Sequence, residues 1–199
     1  MRSGPSPGGG RWVDVPPERL ERWLAGFAER HGVVAADGLV HRAADGAVAE
    51  LVPPYRPVTD ALAPDLRVGV LLVRLGGYAA GVFEGASLTT SKVGSRQVHG
   101  RSAAGGQSQQ RFARRRDNQV TVAYATAADN AVRILAGERL DAVVTGGERT
   151  AVDAVLADRR LERLRPLVVD RLLDVPDPRH RVLEASPELF RAVRVLVSA

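Results

Sequence analysis

The chain of 199 residues contains no cysteine. That excludes disulfides, a thiolate nucleophile, and any zinc or iron–sulfur site held by thiolates. Aromatic residues make up only 5% of the sequence, and there is one methionine. The core must therefore be built from valine, leucine and alanine. Long hydrophobic runs are also missing. The most apolar stretch, Val68 to Val73, is far too short to span a bilayer. Residues Met1 to Gly10 lack the apolar segment of a secretory signal, so a cytoplasmic protein with no membrane partner is expected. The histidines His31, His41, His99 and His180 lie far apart and form no metal-spaced pair. Lysine is nearly absent too: Lys92 is the only one, and the other 27 basic residues are arginine.

What remains is an ordinary globular composition, 45% hydrophobic and 26% charged. The length suits one domain with a small appendage. The net charge of +5 permits an anionic partner without identifying one.

Along the chain, residues 1–10 are rich in Gly, Pro and Ser and are expected to be a disordered tail. Residues 11–65 are expected to pack on the main domain as a helix and a hairpin. The helix runs from about Glu18 to Arg30, with Leu20, Trp23, Leu24 and Phe27 at three- and four-residue steps. The hairpin pairs Leu39–Arg42 with Val48–Val52 around Asp45-Gly46. Residues 66–199 then form the main domain. Arg67–Leu75 is a strand buried on both faces, and Tyr78–Phe83 and Leu88–Val93 follow it in a meander. A polar, glycine- and serine-rich loop, Gly94–Gly106, leads into a long helix from Gln107 or Ser108 to about Ala136. Phe112, Val120, Tyr124, Ala127, Ala131 and Ile134 form its apolar stripe, which also carries Arg116. Strand Asp141–Thr145, helix Thr150–Ala157, strand Leu167–Leu173 and a final helix over Leu189–Val197 complete the pattern. The fold class is α/β, a mixed sheet with flanking helices.

The positive charge is not spread evenly. Lys92 to Arg116 holds Lys92, Arg96, Arg101, Arg111, Arg114, Arg115 and Arg116 and no Asp or Glu, while the rest of the chain is net −2. A solvated helix face mixes signs at i,i+4 spacing. A run of one sign through a glycine-rich loop and a helix start instead suits a phosphate backbone.

Inside that run lies Gly105-Gly106-Gln107-Ser108. Paired glycines reach backbone torsions closed to other residues and let the chain approach another molecule closely. The glutamine stands at a helix start, where free backbone N–H groups can stabilise developing negative charge. Its amide is no strong base, but it can orient a water. This is chemistry by positioning, suited to an activated ester.

The tripeptide alone is a weak signal, but its surroundings extend it. His99-Gly100-Arg101 precedes it, and Gln109-Gln110, Arg111-Phe112-Ala113-Arg114 and Arg116 follow in order. The stretch Gly105–Arg116 closely resembles the catalytic domain of eukaryotic and archaeal class I peptide-release factors. The order of elements from Leu66 onward is similar as well. The resemblance implies a release-factor catalytic domain of RNase-H-like architecture, with a mobile Gly-rich loop leading into the long helix. Two features depart from the termination factors. Ser102-Ala103-Ala104 lengthens the loop, and the chain is too short for separate codon-reading domains. It therefore looks most like the actinobacterial branch of release-factor-like peptidyl-tRNA hydrolases of ribosome quality control, which free nascent chains from stalled large subunits without reading a stop codon.

For this sequence the resemblance implies a catalytic loop of Gly105, Gly106 and Gln107. Members of that branch can differ at the Gln107 position and keep a glutamine further on, so Gln109 is a rival. Arg96, Arg101, Ser108, Arg111, Arg114 and Arg115 would contact RNA. The implied partners are ribosomal RNA of the large subunit and peptidyl-tRNA, met by a monomer with no metal and no cofactor.

Two alternatives compete. One is a non-catalytic ribosome- or RNA-binding module that uses the same basic loop. The other is a metal-dependent nuclease, for which Glu84, Asp141 and Asp170 are scattered candidates without a motif. Gly146-Gly147, ahead of a helix, reads as a strand-to-helix turn rather than a phosphate site.

Overall fold

The computed structural model describes residues 1–6, 9–62, 65–95 and 108–198; in the helix that starts at Ser108, side chains are described from Asn118 onward. In chain order the strands and helices are β1 (Ser3–Pro5), β2 (Arg11–Val15), α1 (Pro17–His31), β3 (Val34–Asp37), β4 (Val40–Ala43) and β5 (Val48–Val52). Next come β6 (Arg67–Arg74), β7 (Gly77–Glu84), β8 (Ser87–Ser95) and α2 (Ser108–Ala131), whose last turn widens into a π-helical segment, Val132–Ala136. Then follow β9 (Ala142–Gly147), α3 (Arg149–Leu156), a 3-10 segment Arg159–Leu167, β10 (Val168–Leu173), α4 (His180–Glu184), α5 (Pro187–Phe190) and β11 (Val193–Ser198). Among the described residues no helix is long and apolar enough to cross a membrane.

The chain divides into two compact units, Met1–Asp65 with Ser186–Ala199, and Leu66–Ala185. The first unit is an antiparallel sheet in the order β1-β2-β11-β5-β4-β3. The β4–β5 hairpin forms where Asp45-Gly46 predicts it, and Gly46 takes the positive φ such a turn requires. Helix α1 buries Leu20 and Phe27 against Val13, Val15, Leu51, Val193 and Val195 of the sheet.

Four segments of this unit differ from the sequence expectation, among them β3, which pairs with β4 where the sequence predicts no strand. Residues 3–5, expected to lie in a disordered tail, pair with β2. Strand β2 itself is too short, at five residues, for its alternation to stand out. Residues 189–197 are not a helix: α5 ends at Phe190 and β11 begins at Val193. An apolar run this short fits either period, and tertiary pairing decides. Val193 and Val195 fill the inner face between β2 and β5, where both are fully buried. The C-terminal strand, read from sequence with the residues after 65, thus belongs to the sheet of the first unit.

The second unit is the expected mixed sheet, in the order β10-β9-β6-β7-β8. Strands β6, β7 and β8 form the antiparallel meander, while β9 runs parallel to β6 and β10 parallel to β9. β6 is central, which is why six of its eight residues are fully buried and its sequence is nearly all apolar. Helices α2 and α3 and the 3-10 segment cover one face through Ala127, Ala131, Leu135, Val152, Val155, Leu161 and Leu164. Small alanines let α2 lie close to the sheet while remaining good helix formers. On the other face, Leu183 of α4 packs over Gly81 of β7.

The β9–α3 connection is a tight turn. Gly147 has φ +97°, and a Cβ there would run into the Val73 carbonyl. Gly147→Ala is expected to cost roughly 1–3 kcal/mol from backbone conformation alone. In urea unfolding this should lower the midpoint by about 1 M. An unchanged midpoint would show that the turn has another low-energy form.

Candidate functional site

The candidate loop joins the edge strand β8 to helix α2. β8 ends at Ser95 and α2 begins at Ser108. Arg96, Arg101, Gly105, Gly106, Gln107 and the neighbouring His99 lie outside the described residues. Ser108, Gln109, Arg111, Arg114 and Arg115 occupy the first turns of α2. Gln107 is therefore the residue immediately before the helix, where the leading N–H groups have no intrahelical acceptor and the helix dipole is positive.

Helical phase sorts the positions on α2. Ala123 and Ala127 are buried, while Asn118 and Val122 are exposed. In the sequence, Arg114 and Arg115 lie three and four residues after Arg111 and four and three before Asn118.

The rest of α2 is held firmly. Arg160, on the 3-10 segment, donates to Asp129 of α2 at 2.7 Å and to Asp158 at 2.7 Å. Asp158 also accepts the Arg160 backbone N–H at 2.9 Å. The side-chain bonds first, and the backbone bond second, hold the Asp158 carboxyl down to about 2. Beyond the helix, Glu138 accepts from the Arg67 guanidinium at 2.5 Å. The C-terminal half of α2 is seated chiefly by Ala127, Ala128 and Ala131 in the core.

The end of β8 is shaped by Tyr78, which the sequence places only as a strand residue. Tyr78 pairs in register with Gly94. A Cβ on Gly94 would overlap the Tyr78 ring and hydroxyl, so this strand end is moulded onto the phenol. Burial pushes the Tyr78 phenol up, an effect the nearby Arg133 partly offsets. Ser95 opens onto a cavity of about 130 Å³ lined by Tyr78, Tyr124, Ala123 and Arg74. A second concavity, of about 660 Å³, places Asp177, Arg179 and His180 beside Val93 and Ser95. His180 Nδ1 sits 3.1 Å from the Glu184 carboxylate. Arg179 and His180 come from the segment after β10, some eighty residues beyond Ser95, so no local pattern could have linked them to the loop.

Charge follows the division into units. The second unit carries a net +6 and the first −1. Arg74, near the loop root, donates to the Val175 carbonyl at 2.7 Å and lies 3.7 Å from Glu148.

The nuclease candidates do not assemble. Glu84 pairs with the Arg67 guanidinium, and Asp141 accepts the Arg67 backbone N–H at 2.8 Å. Asp170 is exposed on β10. Among the described residues no three His, Asp or Glu side chains converge as a metal site. Gly146 and Gly147, expected as a turn, are the last two residues of β9 and pair with Leu72 and Val73 of β6, so the strand runs two residues further than the sequence predicts. It is followed by Glu148, whose N–H bonds the Val73 carbonyl at 2.8 Å and whose carboxylate would repel a phosphate.

Comparisons with known proteins cover this unit and extend beyond it. A family model described as Actinobacteria/chloroflexi VLRF1 release factor matches residues 66–196, well over half of the chain. Among solved structures, the chain resembles an archaeal translation termination factor at 18% identity and a TM-score of 0.46. That match covers 58% of this chain and 32% of the factor, so this chain spans about a third of the factor's length. A second structure, titled only as an archaeal protein, matches at 15% identity and a TM-score of 0.41, covering 87% of this chain and 56% of the other. No curated protein matches the sequence.

Proposed function

The chain belongs to the Actinobacteria/chloroflexi VLRF1 release-factor family, and from that premise we propose that it is a peptidyl-tRNA hydrolase of stalled large ribosomal subunits. Membership gives it a role in translation termination or ribosome rescue. The finer reading is hydrolysis of the peptide–tRNA ester without stop-codon recognition.

The observation that carries the reading is Gly105-Gly106-Gln107 immediately before Ser108, the first residue of α2, in the acid-free stretch Lys92–Arg116. The two glycines let the tip enter a confined site. Gln107, through its amide or its backbone N–H, orients the attacking water and stabilises the tetrahedral oxyanion. The positive end of α2 adds to that stabilisation. Arg101, Arg111, Arg114 and Arg115, with Arg96 and Ser108, hold ribosomal RNA and tRNA backbone. The ester is already activated, so the protein supplies position and electrostatics and no cofactor.

The test uses the full chain and isolated large subunits carrying labelled peptidyl-tRNA. Release of peptide without a stop codon is expected. Binding without release would leave the module that only binds the ribosome.

A further inference from the structure

Helix α1 repeats one dipeptide three times: Glu18-Arg19, Glu21-Arg22 and Glu29-Arg30. Read linearly, the signs cancel. On a helix each arginine is turned about 100° from its glutamate. Arg19, Arg22 and Arg30 therefore share one flank with Trp23 and Gly26, at steps of three and four. Glu21 falls well away from that flank, Glu18 and Glu29 lie next to its Arg22 edge, and Glu18 is taken by Arg191 at 2.7 Å.

That basic flank is one wall of an open groove of about 930 Å³ in the first unit. Arg11 of β2 also lines it, and no carboxylate is among the lining residues. All four arginines are exposed, and none has an ion pair among the described residues. Arg30 reaches back over Gly26, where a Cβ would stand 3.4 Å from its guanidinium. Trp23 is half-buried and stacked on Phe27, with centroids 5.8 Å apart and planes 9° apart. The indole is thus fixed in place at the edge of an acid-free groove.

We propose that this groove binds a stretch of single-stranded RNA, with arginines on the phosphates and a base on the Trp23 ring. From Arg19 to Arg30 is about 17 Å along the helix, which suits a row of anions rather than one. The arginine fork matches phosphate oxygens. An ordered aromatic beside a basic track is the pattern of sequence-tolerant single-strand binding. An acidic peptide would satisfy the arginines but would leave the indole without a stacking partner. The groove lies outside residues 66–196, so the proposal stands apart from the hydrolase reading.

The experiment separates this groove from the loop. A labelled oligouridylate of about twelve nucleotides is titrated by anisotropy into the full chain carrying R111A, R114A and R115A. Binding is expected to persist. Adding R19A, R22A and R30A should weaken it at least tenfold. The log–log salt slope should become about 2 less negative, at ~0.7 for each single-strand phosphate no longer neutralised. Tryptophan emission should be quenched by the RNA. Trp23→Phe should remove most of that quenching while Trp12, under Arg194 at 4.2 Å, still reports the fold. Unchanged affinity after the α1 substitutions overturns the proposal. So does quenching that survives Trp23→Phe. Polyglutamate that binds as tightly as the RNA at equal salt would replace it with an acidic-peptide site.

Discussion

Gln107→Ala is expected to slow peptide release by ~10²–10³, the usual loss on removing one oxyanion-type donor. Binding to the large subunit should not change. The residue precedes α2 and lies in the acid-free stretch, so its replacement removes neither a core side chain among the described residues nor a charge. If the backbone N–H does most of the work, the loss will be smaller, and Gln107→Pro, which lacks that N–H, will show the larger effect. Gln109→Ala is the necessary partner experiment. Gln109 is the second residue of α2, one position beyond Ser108. Full activity in Gln107→Ala together with an inactive Gln109→Ala would move the catalytic role to Gln109. Full activity in both would reduce the protein to a ribosome-binding module. Single-turnover rates at saturating protein keep binding and chemistry apart.

Replacing Arg111, Arg114 and Arg115 together with alanine should weaken binding to the large subunit by about 10–100-fold at near-physiological salt. The slope of log affinity against log salt should become about 2–3 less negative, at ~0.7–0.9 for each phosphate no longer neutralised. Alanine is the strongest helix former, so α2 should survive the replacement. Release at saturating protein should fall much less than affinity. An unchanged slope would place these arginines off the RNA. A slope change matched by an equal loss of saturated release would show that they also position the loop.

Much of the second unit is legible in the sequence because its signals are local and strong. The apolar run Val68–Val73 could only be a central strand, and it is one. In the first unit, Gly46 marks a hairpin turn because its φ of +92° is closed to most residues. The stripe on α2 places Ala127 and Ala131 in the core, where they are. The Gly105–Arg116 register also points to the release-factor family that the match over residues 66–196 bears out.

Other features have no local signature. β11 reads as a helix in the sequence because Val193 and Val195 fit either period until β2 and β5 leave a slot between them. Tyr78, Arg179 and His180 are separated in sequence, and strand pairing and the β10–α4 segment bring them to the loop root. Glu84 and Asp141 read as loose carboxylates until Arg67 is seen between them.

The sequence by itself determined the α/β class, the meander and long helix, the single-sign stretch from Lys92 to Arg116 and the family. All of these depend on neighbours within a few turns of chain, which side-chain periodicity and backbone torsion read directly. Only the tertiary structure decided which strand fills the middle of the first sheet, what moulds the end of β8, and how charge is sorted on α1. There the residues sum to zero along the chain. The 100° turn between successive helical residues sends the arginines to one groove that no glutamate lines.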